Sequence, residues 1–97
     1  MTLAEQLGNI GSEVGRAISW RERGNVGNFE GAFVRMLELL DLTLADDRWR
    51  GAKRRELARV REALCAAMEE GAPTAPLPAW NRYFSHFAAM ARAQRGF

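Results

Sequence analysis

The chain contains one histidine, His86, and one cysteine, Cys65, the residue types that most often perform acid–base and nucleophilic chemistry. We predict them on different helices, so the two cannot by themselves fill a zinc site. Cys65 stands between Leu64 and two alanines, which favours a buried, unreactive thiol. Neither the phosphate-binding motif G-x-x-x-x-G-K-[ST] nor the nucleophile motif G-x-S-x-G occurs. The sequence therefore predicts no catalytic residue, metal site, cofactor or small-molecule substrate.

Basic residues are concentrated between positions 48 and 61, where seven of fourteen residues are Lys or Arg and only Glu56 is acidic. A helix with such a row can follow nucleic-acid phosphates, and a tryptophan among the cations can stack on a base. The candidate nucleic-acid patch consists of Arg48, Trp49, Arg50, Arg55 and Arg59. Charged runs on helices are mostly solvated faces, so nucleic-acid binding is the alternative function here.

Two further cations of this segment, Arg54 and Arg61, fall roughly 60° and 40° from Leu57 on a helical wheel, at the edge of the predicted core face. Asp41 lies in a leucine-rich stretch of the preceding helix, where a buried carboxylate needs a charged partner. We therefore expect Arg54 and Arg61 to form structural ion pairs with carboxylates of that helix, above all with Asp41.

A stripe of small residues runs along the first predicted helix at three- and four-residue spacing. It consists of Ala4, Gly8, Gly11, Gly15 and Ser19. Three glycines inside a helix cost roughly 0.5–1 kcal/mol each relative to alanine, so a compensating close approach of another helix is expected. That helix is either the second or fourth of the same chain or the first helix of a second copy. A kink at Gly11, with Ser12 capping a new helix, is the other interpretation.

The spacing of Arg82 and His86 resembles the Arg-to-His motif of HEPN ribonucleases, small helical proteins that cut RNA. That family has four to six residues between the arginine and the histidine, whereas three stand here, and Tyr83 occupies the position of its polar residue. No active site is carried over, and an HEPN-like ribonuclease is the most distant of the alternatives.

Residues 37–43, Leu-Glu-Leu-Leu-Asp-Leu-Thr, and residues 54–62, Arg-Arg-Glu-Leu-Ala-Arg-Val-Arg-Glu, form a second pattern. It is similar to a pattern in small uncharacterised bacterial helical-bundle proteins. The resemblance implies a bacterial, non-enzymatic helical module.

Apolar residues recur at helical spacing in four segments, which predicts helices at about 3–23, 28–45, 49–70 and 79–94. Thr2 and Glu5 have the form of a capping box, and Asn28 can cap the second helix. The three prolines fall in a connector at 71–78. We predict a single all-α domain, a four-helix antiparallel bundle that dimerisation could complete or extend.

Charge is divided unevenly along the chain. Residues 1–47 carry four arginines against eight acidic residues, and residues 48–97 carry ten cations against four acidic residues. The halves can therefore neutralise each other within one bundle or across a dimer. No stretch is long and apolar enough to cross a membrane, and the first residues lack the features of a secretion signal. We expect a cytoplasmic protein.

The predicted function is a non-enzymatic assembly or adaptor module, whose partner is a second copy or another helical protein. A domain of this size hides only about three fifths to two thirds of its unfolded surface, so it gains stability from a dimer interface. Val34 and Leu42 fall away from the apolar face of the second helix and are available for such contacts.

Overall fold

The computed structural model describes residues 1–69 and 77–93, which form four α-helices. The helices are α1 (Leu3–Glu22), α2 (Val26–Leu44), α3 (Gly51–Ala67) and α4 (Leu77–Ala93). The predicted all-α, four-helix fold is confirmed. Residues 70–76 and 94–97 lie outside the described residues. They include the predicted end of the third helix, most of the connector and the predicted last residue of the fourth helix.

Helix α1 begins at the predicted capping box. The Thr2 backbone N–H donates to the Glu5 carboxylate at 2.9 Å, and the Glu5 backbone N–H donates to the Thr2 hydroxyl at 3.0 Å. The helix then runs without a break through Gly11 and Ser12, so the alternative in which Ser12 caps a new helix is wrong. It ends before Gly24, whose φ of +72° suits a residue without a Cβ.

Helix α2 begins at Val26, two residues earlier than predicted. Asn25, not Asn28, is the capping residue, because the Asn25 side-chain oxygen accepts the Asn28 backbone N–H at 3.0 Å. The earlier cap adds half a turn to α2 and places Val26 on the helix surface.

Helix α3 begins at Gly51, two residues later than predicted. Asp46 holds the preceding residues in a turn, since it accepts the backbone N–H of Arg48 on its side chain and that of Trp49 on its main chain, both at 3.0 Å. Gly51 follows with a φ of +58°, a conformation that a side chain would strain.

The contacts between helix ends give the direction of each helix. Gln6, near the start of α1, bonds to Trp49 just before α3, and Arg21, near the end of α1, bonds to the Glu69 carbonyl just after α3. Helix α3 therefore runs parallel to α1, while α2 runs antiparallel to both. In α4, Phe84 lies against Gly11, and Phe87 packs against Trp49. Helix α4 is thus antiparallel to α1, as an antiparallel bundle requires.

The core lies on the axis of the bundle and draws side chains from every helix. The buried apolar residues are Leu7, Ile10, Val14, Ala17, Ile18, Ala32, Met36, Leu40, Trp49, Leu57, Val60, Leu64, Met68, Phe84 and Phe87. Several further apolar residues of α2 pack against this core but are only half-buried. They include Phe29, Phe33, Leu37 and Leu44. Helix α2 therefore presents apolar surface beyond the core.

Candidate interaction surface

The small-residue stripe of α1 is covered in part by α4 of the same chain. A Cβ built on Gly11 would lie 3.5 Å from the Phe84 ring, so α4 packs directly on this position. Gly8 is exposed and has open space where a Cβ would stand, so the expected close approach does not occur there within the chain. Ala4, Gly15 and Ser19 are half-buried. The packing that the stripe predicted is thus seen at Gly11 and is absent at Gly8.

We expect Gly8→Ala to stabilise the fold by about 0.5–1 kcal/mol, because alanine is the better helix former and no neighbour obstructs its methyl group. The measurement is thermal unfolding followed by circular dichroism, with a rise in Tm of several degrees. The matched control is Gly24→Ala, where a φ of +72° makes the same substitution destabilising. A lower Tm for Gly8→Ala would show that the glycine is needed at this exposed position.

Trp49 does not belong to the exposed basic patch, so the interpretation that it stacks on a base is wrong. Its side chain is only 1% exposed. The indole N–H donates to the Gln6 side-chain oxygen at 2.7 Å, and the ring meets Phe87 edge-on with 5.5 Å between centroids. The physical reason is the turn at Asp46. Because of this turn, Trp49 precedes α3 and its side chain points into the core.

The cations of the patch differ in their partners. Arg48 binds Asp46, with 2.7 Å between the closest atoms, and Arg59 binds Glu56 at 3.2 Å. No described carboxylate forms an ion pair with the remaining four cations at the start of α3. These are Arg50, Lys53, Arg54 and Arg55. A concentration of positive charge therefore remains at the N-terminal end of α3.

Gln6 of α1 connects its helix to the segment between α2 and α3. Its amide nitrogen donates to Asp46 at 2.9 Å while its oxygen accepts from Trp49. Asp46 also accepts hydrogen bonds from the Arg48 side chain and backbone, and these bonds hold the pKa of the Asp46 carboxyl well below its ordinary value. The α2–α3 connection is thereby fixed to the first turns of α1.

This network predicts an acid-dependent loss of stability. A carboxyl whose pKa is lower in the folded than in the unfolded chain stabilises the fold above its unfolded pKa of about 3.9, and that contribution is lost as the pH falls below it. We expect the difference in Tm between the wild type and Asp46→Asn to be largest above about pH 5 and to shrink as the pH is lowered to about 3. The control is Asp47→Asn, and a pH-independent difference for Asp46→Asn would contradict the assignment.

Asp41 and Arg61 form the expected pair, with 2.9 Å between Arg61 Nε and Asp41 Oδ1. Both side chains remain accessible, at 61% exposure for Asp41 and 36% for Arg61. Arg54 does not reach Asp41. It lines a shallow groove with Arg50 and with Asp46 and Asp47 instead. The pair therefore bridges α2 and α3 on the outside of the bundle.

Among the described residues, the buried carboxylate is Glu13, which no sequence motif identified. It accepts from Arg16 of its own helix at 2.5 Å and from Arg35 of α2 at 3.3 Å, and its side chain is nearly buried. Glu13 lies seven residues after Gln6 and seven before Trp20, on the flank of the α1 core face. That spacing and the arginine three residues later are the signals that could have identified it.

The residues of the HEPN-like motif lie on the outer side of α4. Arg82 and His86 are exposed, and neither side chain forms a hydrogen bond or ion pair with any residue that the structure describes. Tyr83, between them, points inward and donates a hydrogen bond to Glu56 of α3; burial and that bond raise the pKa of its phenol. Cys65 is half-buried. Within residues 1–69 and 77–93, no three His, Cys, Asp or Glu side chains converge as metal ligands.

Apolar side chains also stand in solvent on α2. Val26, Val34 and Leu42 are exposed, Leu42 to 69% and Val34 to 50%. The Phe29 and Phe33 rings stack with 6.0 Å between centroids and are half-buried. The outer side of α2 therefore carries apolar side chains among its charged ones.

These features define an all-α helical bundle whose most distinctive surface is the outer side of α2 and α3. No family model, curated protein or solved structure matches the chain. Among the described helices, none is long and apolar enough to span a bilayer.

Proposed function

We propose that the protein is a non-enzymatic assembly module that associates with a second copy of itself. The observation that carries this proposal is the exposure of Val26, Val34 and Leu42 on a helix that already supplies Met36 and Leu40 to the core. Transfer of such side chains from water into an interface contributes roughly 25 cal/mol for each Å² of apolar surface that is covered. A second copy gives a small bundle the additional buried surface that its own core cannot supply.

The test is the molar mass of the protein measured by light scattering from micromolar to near-millimolar concentration. We expect the mass to rise from that of the 10.9 kDa chain to twice that value. Val34→Glu, a change on the outer surface of α2, is expected to shift this transition to higher concentration, whereas Ser85→Glu on the exposed side of α4 serves as the control. A monomer over the whole range would reject the proposal.

The second candidate is a nucleic-acid-binding accessory protein. The observation that favours it is the group of four cations at the start of α3 that no described carboxylate neutralises. Such a surface predicts binding that weakens steeply as salt is raised.

Fluorescence anisotropy with labelled single- and double-stranded DNA and RNA at about 50 mM salt tests this second candidate. Replacing Arg50 or Arg55 with glutamine should lower the slope of log affinity against log salt by about one for each phosphate contact that is lost. Absence of binding to all four probes rejects it. Arg82→Gln, on the exposed side of α4, is the matched control.

A further inference from the structure

The boundary between α2 and α3 on the outside of the bundle, which we call the α2–α3 seam, is both apolar and charged. Asp41 and Arg61 bridge it at 2.9 Å. Residues one turn from either member of the pair lie on the same side of their helix, and here they include four apolar residues. They are Leu37 and Leu44 on α2 and Ala58 and Cys65 on α3, and each is half-buried.

Contacts within the chain cover the α2–α3 seam only in part. Helix α1 packs closely along both α2 and α4, whereas α2 and α3 approach each other over a shorter stretch. Val34, seven residues before Asp41 and on the same side of α2, is half exposed. On one side of the Asp41–Arg61 pair, exposed apolar surface at Val34 therefore adjoins the half-buried residues of the seam.

The two sides of the seam carry opposite charge. On α2, Glu38 stands one turn before Asp41; on α3, Arg54 stands two turns before Arg61. A twofold axis parallel to the helices would set α2 of one copy against α3 of the other. Because Asp41 and Arg61 lie at the same height along the bundle, this operation places each Asp41 opposite Arg61 of the second copy.

We infer that the α2–α3 seam is the surface through which two copies of this chain associate, with Asp41 and Arg61 forming a reciprocal charge cluster at its centre. The inference rests on the proposed self-association and assigns it a surface. A second copy fits better than a nucleic acid, because Asp41 and Glu38 would repel phosphates along half of the seam, whereas a second copy turned by the twofold axis meets Asp41 with Arg61.

The experiment uses two charge reversals, Asp41→Arg and Arg61→Asp, in the full chain. Each variant alone places like charges across the twofold axis, and we expect its dimer dissociation constant to rise at least about tenfold. An equimolar mixture of the two variants should form a heterodimer with an affinity close to that of the wild type. In that heterodimer the introduced arginine of one copy faces the introduced aspartate of the other, and the two native residues also face each other. Sedimentation equilibrium, with one variant labelled by a fluorophore, measures all three constants.

The mixture separates contact between copies from contact within a chain. Each single variant keeps like charges at its own α2–α3 bridge, so only pairing across the interface can restore affinity in the mixture. An exposed ion pair contributes little to stability, so both variants should retain the far-ultraviolet circular dichroism of the wild type. If either unfolds, Asp41→Asn and Arg61→Gln replace the two reversals in the same mixing design. Each of these variants alone removes both Asp41–Arg61 contacts across the axis, whereas their mixture keeps one contact and should bind more tightly than either variant alone.

The control is Arg82→Asp, a reversal of the same kind on the exposed side of α4, which should leave the dissociation constant unchanged. A wild-type dimer whose affinity is unaffected by both seam reversals overturns the seam while the proposed self-association stands. A wild-type chain that stays monomeric overturns both. Binding of nucleic acid that Asp41→Arg strengthens, in a chain that remains monomeric, also overturns the assignment of the seam to a second copy.

Discussion

Trp49→Ala is expected to destabilise the fold by about 3–5 kcal/mol, the cost of truncating a large buried aromatic residue. Trp49 is the largest of the fully buried side chains, and it lies where the start of α3 meets α1 and α4. Removing it deletes the edge-on contact with Phe87 and leaves the Gln6 side-chain oxygen without the indole N–H that now satisfies it. Urea unfolding followed by far-ultraviolet circular dichroism measures the loss as a change in the free energy of unfolding.

Trp20→Ala provides the comparison for this first prediction. Trp20 is half-buried near the end of α1, with the Arg23 guanidinium 5.2 Å from its ring centroid, so its removal exposes less apolar surface and opens no enclosed cavity. Its cost should be clearly smaller than that of Trp49→Ala. Equal losses for the two variants, or a loss below about 1 kcal/mol at position 49, would be inconsistent with the buried position of Trp49.

Glu13→Lys is expected to cost about 1–3 kcal/mol, because a nearly buried carboxylate is replaced by a cation beside two arginines whose own side chains are more than half exposed. Glu13 lies between Arg16 and Arg35, so the substitution replaces two attractive contacts with a third positive charge between α1 and α2. The ammonium group can escape only by moving into water, which separates the two helices locally. Chemical denaturation of the purified variant gives the change in the free energy of unfolding directly.

The matched control lies on the same helix. Glu22 is exposed at the end of α1 and forms no ion pair with a described residue, so Glu22→Lys should change stability by no more than about 0.5 kcal/mol. A second variant, Glu13→Gln, keeps the shape of the side chain and should fall between these two. If Glu13→Lys lowered the free energy of unfolding no more than Glu22→Lys does, the contacts of Glu13 with the two arginines would not stabilise the fold.

Local signals in the sequence were sufficient for the helices. The Thr2–Glu5 capping box depends on two residues that are three positions apart, and the structure contains it. Helical periodicity likewise predicted four helices, and the structure describes four. These predictions succeed because each depends on interactions within one or two turns.

Trp49 and Glu13 could not be placed in the same way. Trp49 was assigned to the helical face of the cations around it, but its indole is held in the core by Gln6, which is 43 residues away in the chain, and by Phe87 of α4. Glu13 is buried because Arg35 of another helix reaches it. Asp41 shows the converse, since a leucine-rich neighbourhood suggested burial and the side chain is exposed. Tertiary partners, which a helical wheel does not contain, decide all three positions.

The contact between Gly11 and Phe84 has a consequence for folding during synthesis on the ribosome. Helix α1 is synthesised before the other three, yet the helix that covers its glycine side is the last of the four to emerge. At about 5–20 residues per second, the nascent chain spends several seconds with that side of α1 unprotected. A contact so distant in sequence also slows folding relative to a bundle built from neighbouring hairpins. Chaperones that bind exposed apolar segments therefore have their longest opportunity on α1.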